Sequence, residues 1–135
     1  MNEEKAQRFV IKLMDMTSQG DIKWEILGDD PHAKPDRLPF KARLVGYAYE
    51  ASWDSGFGAT PFSLVLFRCR LPIIEDCMEP IGWDDYLTYI LAIYDENDIF
   101  RDEISQTVVL ADLYEEVQDQ IHPVDSIIDQ ILAEN

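Results

Sequence analysis

Four carboxylates share one face of a predicted helix near the end of the chain. Asp112, Glu115, Glu116 and Asp119 follow the i, i+3, i+4 and i+7 spacing, which places them on one side of an α-helix. A metal site built from helical carboxylates usually adds a Glu-x-x-His motif, and the sequence has none. We therefore interpret these residues as a solvated acidic face without a metal or cofactor, and as a candidate surface for binding a partner.

A second acidic run, Asp95-Glu96-Asn97-Asp98, resembles the start of a calcium-binding loop. The EF-hand loop needs Gly at its sixth position and Glu at its twelfth. Counted from Asp95, these positions are Phe100 and Gln106, so the calcium interpretation fails. Because Asn and Asp tolerate the backbone conformations of tight turns, the run predicts a hairpin turn instead.

Four positive charges fall on two predicted strands. Lys41 and Arg43 share a face of one strand, and Arg68 and Arg70 share a face of the next. If these strands pair antiparallel about the 52–61 connection, the four side chains meet near one end of the sheet. Two interpretations stay open, namely an anion-binding cluster and a set of ion pairs. The abundance of carboxylates favours the ion pairs.

The connection itself, SWDSGFGATP over residues 52–61, carries two aromatic residues beside glycines, Trp53 and Phe57. It joins two strands and lacks the lysine-containing pattern of a phosphate-binding loop. Aromatic side chains are common anchors at protein interfaces, so Trp53 and Phe57 are candidate partner-binding residues. A loop that folds back onto the sheet explains them equally well.

No nucleophile with a base is recognisable. Cys69 alternates with apolar neighbours and is expected to be a small core residue. Cys77 follows two acidic residues, which would raise the pKa of its thiol and reduce its reactivity. No serine lies in a G-x-S-x-G motif. The sequence therefore leans against an enzyme and predicts no catalytic residue.

Apolar periodicity predicts the elements that position these residues. Residues 3–18 have helical spacing and are followed by a glycine, whereas residues 21–27 alternate as a short strand with Ile22, Trp24 and Ile26 on its buried face. Longer strands are predicted from residue 40 onward and over 62–71, 86–94 and 99–104. Residues 28–39, 52–61 and 72–84 are predicted loops. Two helices follow, one ending near Ile121 and one running from Pro123 to about Leu132.

Strands grouped together with helices at both ends predict an α+β fold rather than alternating βαβ units. We expect one domain over 1–135, with an N-terminal helix, an antiparallel sheet of four to five strands in meander order, and two C-terminal helices packed on the sheet. The apolar residues of the last helix, including Ile128 and Ile131, are expected to face the core.

The charge distribution has two interpretations, a surface that only keeps the chain soluble and monomeric, which charge alone favours, and a surface that selects a cationic partner. The formal net charge is −16, and residues 95–135 hold twelve Asp and Glu against Arg101 alone. Such a surface repels nucleic acid and anionic membranes and favours a partner with a basic surface. No apolar run approaches the length of a membrane helix and no signal peptide is recognisable, so the expected location is cytoplasmic.

Three hypotheses for function fit these patterns. The leading one is a non-enzymatic protein-binding module of the inhibitor or immunity type, which docks a basic partner through its acidic C-terminal helices. The alternatives are a small-ligand-binding protein or enzyme with an Arg- and Tyr-lined pocket, and a secretion-type chaperone. The pattern T-x-x-G-x-I-x-W over 17–24, with L-x-x-L-Y over 110–114, resembles small bacterial proteins and supports only the order of elements.

Overall fold

The computed structural model describes residues 2–27, 43–53, 62–73, 82–105, 108–122 and 124–133. In chain order its elements are α1 (Glu3–Ser18), β1 (Glu25–Leu27), β2 (Arg43–Leu44), β3 (Ala48–Trp53), β4 (Phe62–Arg70), β5 (Pro72–Ile73), β6 (Gly82–Trp83), β7 (Thr88–Tyr94), β8 (Phe100–Ile104), α2 (Val109–Ile121) and α3 (Val124–Ala133). The predicted α+β fold is confirmed, with an N-terminal helix, an antiparallel sheet and C-terminal helical packing on it.

The main sheet has the strand order β1-β3-β4-β7-β8, and all its pairs are antiparallel. The short strand β2 also pairs with β4, next to β3. At the centre of the sheet Leu66 lies opposite Tyr49 on one side and Leu91 on the other. Apart from the two-residue strands β2, β5 and β6, the strands lie in the sheet in the order in which they occur in the chain, as in the predicted meander.

Helix α1 begins and ends on local signals. The Asn2 side chain accepts a hydrogen bond from the Lys5 backbone N–H at 2.7 Å, which caps the first turn. The helix ends where Gly20 adopts a φ of +79°, a left-handed conformation that glycine takes without steric cost. Along the helix, buried Val10 and Leu13 lie on the side that packs against α2.

The turn between β7 and β8 follows the predicted Asp95–Asp98 run. The Asp95 carboxylate accepts hydrogen bonds from the backbone N–H groups of Asn97 at 2.9 Å and Ile99 at 3.0 Å. Asp98 has a φ of +64°, a conformation that Asp adopts more readily than most residues. The acidic side chain of Asp95 is therefore used to build the turn.

Two apolar clusters form, one on each face of the sheet. The face towards α1 and α2 contributes Leu64, Leu66 and Leu91, which pack with Leu113 and Val117 of α2. The opposite face contributes a second buried cluster, which comprises Leu44, Ala48, Val65, Phe67, Cys69, Ile90, Ala92 and Tyr94. Strand β4 is therefore buried on both faces, as its near-continuous apolar sequence requires.

A kink at residues 45–47 separates β2 from β3. Leu44 lies opposite Cys69, whereas Tyr49 lies opposite Leu66, so the pairing with β4 is shifted between the two segments. Gly46, at the kink, has a φ of +87°. Insertions of this kind bend a strand and re-aim its side chains. Here the kink turns its backbone carbonyls towards β4 and α2.

We expect Gly46→Ala to lower the free energy of unfolding by about 1–3 kcal/mol, because left-handed backbone is strained for residues with a Cβ. The added Cβ would also lie 3.0 Å from Oη of Tyr114, which is closer than normal contact. Gly82→Ala is the matched control, because a Cβ there has no heavy atom within 4 Å. Urea unfolding followed by circular dichroism measures both variants. Equal losses of unfolding free energy in the two variants would contradict backbone strain at the kink.

The structure differs from the predicted elements in three places. The predicted loop over 72–84 contains the two-stranded ribbon β5–β6. Residues 21–24 are not a strand, although Ile22 and Trp24 are buried as predicted, while Ile26 in β1 is 39% exposed. Ile128 and Ile131 in α3 are 48% and 59% exposed, so these two side chains do not face the core.

Candidate functional site

Helix α2 positions the four predicted carboxylates, which we call the acidic stripe (Asp112, Glu115, Glu116 and Asp119). Leu110, Leu113, Tyr114 and Val117 turn to the core on its other side and are fully buried. Asp112, Glu115 and Asp119 are exposed, and Glu116 is partly buried. Within the described ranges, no basic side chain forms an ion pair with any of the four.

Part of the acidic stripe lines an open groove of about 390 Å³ between α2 and the end of α1. Glu116, Asp119 and Gln120 form one wall, and residues 17–20 form the other. The carbonyl end of a helix carries partial negative charge, and α1 has no basic residue in its last turn to offset it. The groove is therefore negative on both walls, and its Glu116 and Asp119 carboxylates, which no described cation neutralises, suit an ammonium or guanidinium group.

The side chain of Gln120 holds the two walls together. Its carbonyl oxygen accepts from the Trp24 backbone N–H at 3.1 Å, and its amide donates to the carbonyls of Ile22 at 3.0 Å and Thr17 at 3.3 Å. The Trp24 indole in turn donates to the Thr17 hydroxyl at 3.0 Å, which itself donates to the Leu13 carbonyl at 2.7 Å. These bonds fix the groove geometry, and no periodic signal in the sequence indicates them.

The predicted positive cluster lies partly within the described residues. Arg43 is the cross-strand partner of Arg70, and Arg68 lies two positions earlier on β4. Arg70 donates to the backbone carbonyls of Asp84 at 3.1 Å and Asp85 at 2.6 Å. Arg68 donates through Nε to the Val45 carbonyl at 2.8 Å. Among the described residues, both guanidinium groups thus bond carbonyl oxygens and not carboxylates. Lys41 lies outside the described residues.

Tyrosine rings from three elements cluster at Tyr114, which contacts Arg68. The guanidinium carbon of Arg68 lies 5.0 Å from the centre of the Tyr114 ring, a cation–π arrangement. The Tyr114 hydroxyl donates to the Tyr47 carbonyl at 2.9 Å. The rings of Tyr49 and Tyr89 lie with their centres 5.4 and 5.6 Å from that of Tyr114. The sequence gives no signal for this grouping, because it depends on the kink and on where α2 crosses the sheet.

Burial sets the protonation state of the phenols. It raises the pKa of Tyr114 and that of Tyr49 above the ordinary value for tyrosine. Tyr49 is fully buried. Its hydroxyl forms no hydrogen bond with any described residue, although Gln118 and Tyr114 lie near it. Both phenols are therefore neutral near pH 7 and do not act as bases, and Tyr114 serves as a donor.

The part of the chain that the structure describes offers no reactive cysteine and no cluster of metal ligands. Cys69 is fully buried, and burial raises the pKa of its thiol to about 11, so it is protonated near neutral pH. Cys77 lies outside the described residues. In the described part of the chain, no three His, Cys, Asp or Glu side chains come together in a way that could hold a metal ion.

Of the two aromatic residues that are candidates for partner binding in the 52–61 connection, the structure describes one. Trp53 ends β3, where its backbone pairs with Phe62, and Phe57 lies outside the described residues. Their role in partner binding stays a prediction. Among the described residues, no helix is both long enough and apolar enough to cross a bilayer.

Comparisons of the chain with protein-family models, with curated proteins and with solved structures found no match. Any assignment of function therefore depends on the contacts, charges and burial of the groove and of the Arg68 surroundings.

Proposed function

We propose that the protein is a non-enzymatic binding module that docks a protein partner with a basic surface through the acidic stripe and the adjoining groove. The observation that carries the proposal is the groove itself, where Glu116 and Asp119 face the carbonyl end of α1 without a neutralising cation among the described residues. A lysine or arginine of the partner would supply the missing charge.

The energetics of the stripe support this proposal. Like charges at i, i+4 on a helix repel by some tenths of a kcal/mol per pair, and carboxylates beside the carbonyl end of another helix add to that repulsion. Folding therefore concentrates charge that a cationic ligand would neutralise. A complementary field also speeds encounter with a basic partner and makes binding sensitive to salt.

The sharper form of the proposal is an inhibitor or immunity-type protein. An acidic surface of this kind would cover a basic active site or the nucleic-acid-binding face of another protein, and it would itself bind no nucleic acid. The cellular compartment that fits this role is the cytoplasm.

The test uses the triple reversal Glu115→Lys, Glu116→Lys and Asp119→Lys. Partners are captured from extracts of the native cells at low and high salt, and affinity for an identified basic partner is then measured by calorimetry. We expect the wild-type affinity to fall steeply with salt and the triple reversal to weaken binding by about a hundredfold or more, as for the loss of several close charge pairs.

The matched control reverses three exposed acidic residues elsewhere, Glu25→Lys, Asp85→Lys and Glu96→Lys, which changes the net charge by the same amount. We expect this variant to retain affinity within a few-fold. Equal losses of affinity in the two variants would show that net charge, and not the position of the stripe, determines binding. Full binding by the triple reversal would reject the stripe as the docking surface.

A further inference from the structure

The kink at residues 45–47 forms one side of a second polar site, away from the groove. Two side chains hold its carbonyls, Arg68 from β4 through Nε to Val45 and Tyr114 from α2 through its hydroxyl to Tyr47. Both side chains lie on the side of the sheet on which α2 packs. The kink thus fixes the orientation of the guanidinium group.

The Nη groups of Arg68 have no partner among the described residues. Nε is the only one of its nitrogens that donates to a described acceptor, at 2.8 Å, and no carboxylate forms an ion pair with the group. The side chain is only partly buried, so a solute can reach it. The edge formed by Nη1 and Nη2 is the fork that binds a planar oxyanion through two parallel hydrogen bonds.

The surroundings preorganise this fork. A Cβ on Gly46 would lie 3.4 Å from Nη2 of Arg68, so the guanidinium sits directly against bare backbone. Its face lies over the Tyr114 ring, and Tyr89 is its cross-strand partner on β7. The hydroxyl of fully buried Tyr49 lies beside Tyr114 without a partner of good geometry. These groups restrict the guanidinium before any ligand arrives, which lowers the entropy cost of binding.

We propose that Arg68 binds a carboxylate through its two Nη groups, with the apolar body of the ligand against Tyr89, which is partly exposed on the neighbouring strand. Arg70, two residues further along β4, adds positive charge to the same face. The net charge of −16 repels a phosphate dianion more strongly than a carboxylate monoanion, which selects the carboxylate. This site is separate from the acidic groove, so it does not rest on the proposed docking function.

The test titrates the ¹⁵N-labelled protein with benzoate, acetate and inorganic phosphate at constant ionic strength. NMR follows the arginine Nε–H signals and also the backbone amide signals, which remain in variants that lack Arg68. We expect saturable shifts of the Arg68 signal, with benzoate tightest and phosphate weakest. Arg68→Gln should weaken benzoate binding roughly ten- to a hundredfold, the loss typical of charge-assisted hydrogen bonds. Arg101→Gln is the matched control, because Arg101 is exposed and pairs with Asp95 at 3.2 Å.

Arg68→Lys provides a second variant that keeps the charge and removes the fork, and its affinity should fall nearly as far as that of Arg68→Gln. Circular dichroism checks that each variant is folded. The proposal is overturned if benzoate leaves the Arg68 signal unmoved, or if Arg68→Gln and Arg101→Gln bind benzoate equally. A carboxylate ligand has two sources, a protein C-terminus and a free small molecule. Titration with a peptide that has a free C-terminal carboxylate, and with the amide of the same peptide, distinguishes them. Preference for the free acid indicates a protein carboxylate, and binding of benzoate alone indicates a free small molecule.

Discussion

Leu66→Ala is expected to lower the free energy of unfolding by about 3–5 kcal/mol, a large part of the stability of a domain of this size. Leu66 is fully buried at the centre of β4 and packs in the cluster between the sheet and the helices. Its neighbours on both adjacent strands, Tyr49 and Leu91, are also fully buried and belong to strands that hydrogen bonds hold in place. The cavity left by alanine therefore cannot collapse easily, and the cost lies towards the upper end of the range.

Urea unfolding, followed by tryptophan fluorescence and circular dichroism, measures this loss. Ile99→Ala is the matched control, because Ile99 is 55% exposed in the turn between β7 and β8. We expect the control to cost about 0.5 kcal/mol. A similar loss in the two variants would contradict the placement of Leu66 at the centre of the core.

The protein is expected to lose stability as the pH rises above about 9. Burial raises the pKa of the Cys69 thiol from 9.0 to about 11, so the folded state keeps a proton that the unfolded chain releases. The stability that this proton contributes is complete below pH 9 and is lost progressively as the pH rises through 11. Tyr49 and Tyr114 act in the same direction above pH 10, since burial raises their pKa values as well.

For Cys69 alone the loss between pH 9 and 11 is about 2–3 kcal/mol, because each unit of pKa difference corresponds to about 1.4 kcal/mol. Urea midpoints by far-ultraviolet circular dichroism at pH 8, 9, 10 and 11 measure the decline. Cys69→Ala should show a shallower decline between pH 9 and 10, where the tyrosines contribute little. The two proteins are compared by the slope of stability against pH and not by absolute stability, because the substitution itself changes core packing. Stability that is constant from pH 8 to 11 would contradict the burial of these groups.

Local signals account for the parts of the fold that the sequence predicts well. The limits of α1 follow from Asn2 and from apolar spacing that ends before Gly20. The β7–β8 turn follows from the Asp95–Asp98 run, whose side chain and backbone conformations build it. The acidic stripe is likewise predicted, because residues three and four apart on a helix share a face whatever that helix packs against.

Contacts between distant segments account for what the sequence does not predict. Ile22 and Trp24 are buried because hydrogen bonds to the end of α1 and to Gln120 hold this segment, and strand pairing plays no part there. The kink at 45–47 interrupts a segment whose alternating sequence predicts one continuous strand. The environment of Arg68 depends on that kink and on a tyrosine of α2, so sequence pattern alone cannot choose between anion binding and ion pairing.

The bonds of Gln120 also set an order of events during synthesis. One side chain joins residues 17, 22 and 24 to a helix about a hundred residues later in the chain. On a ribosome, α1 emerges long before that helix exists, and its buried face then has no partner. The groove between them therefore cannot exist on a nascent chain until residue 120 has left the exit tunnel. A basic partner that recognises the groove would thus bind chains in which α2 has emerged and folded, and ignore shorter ones.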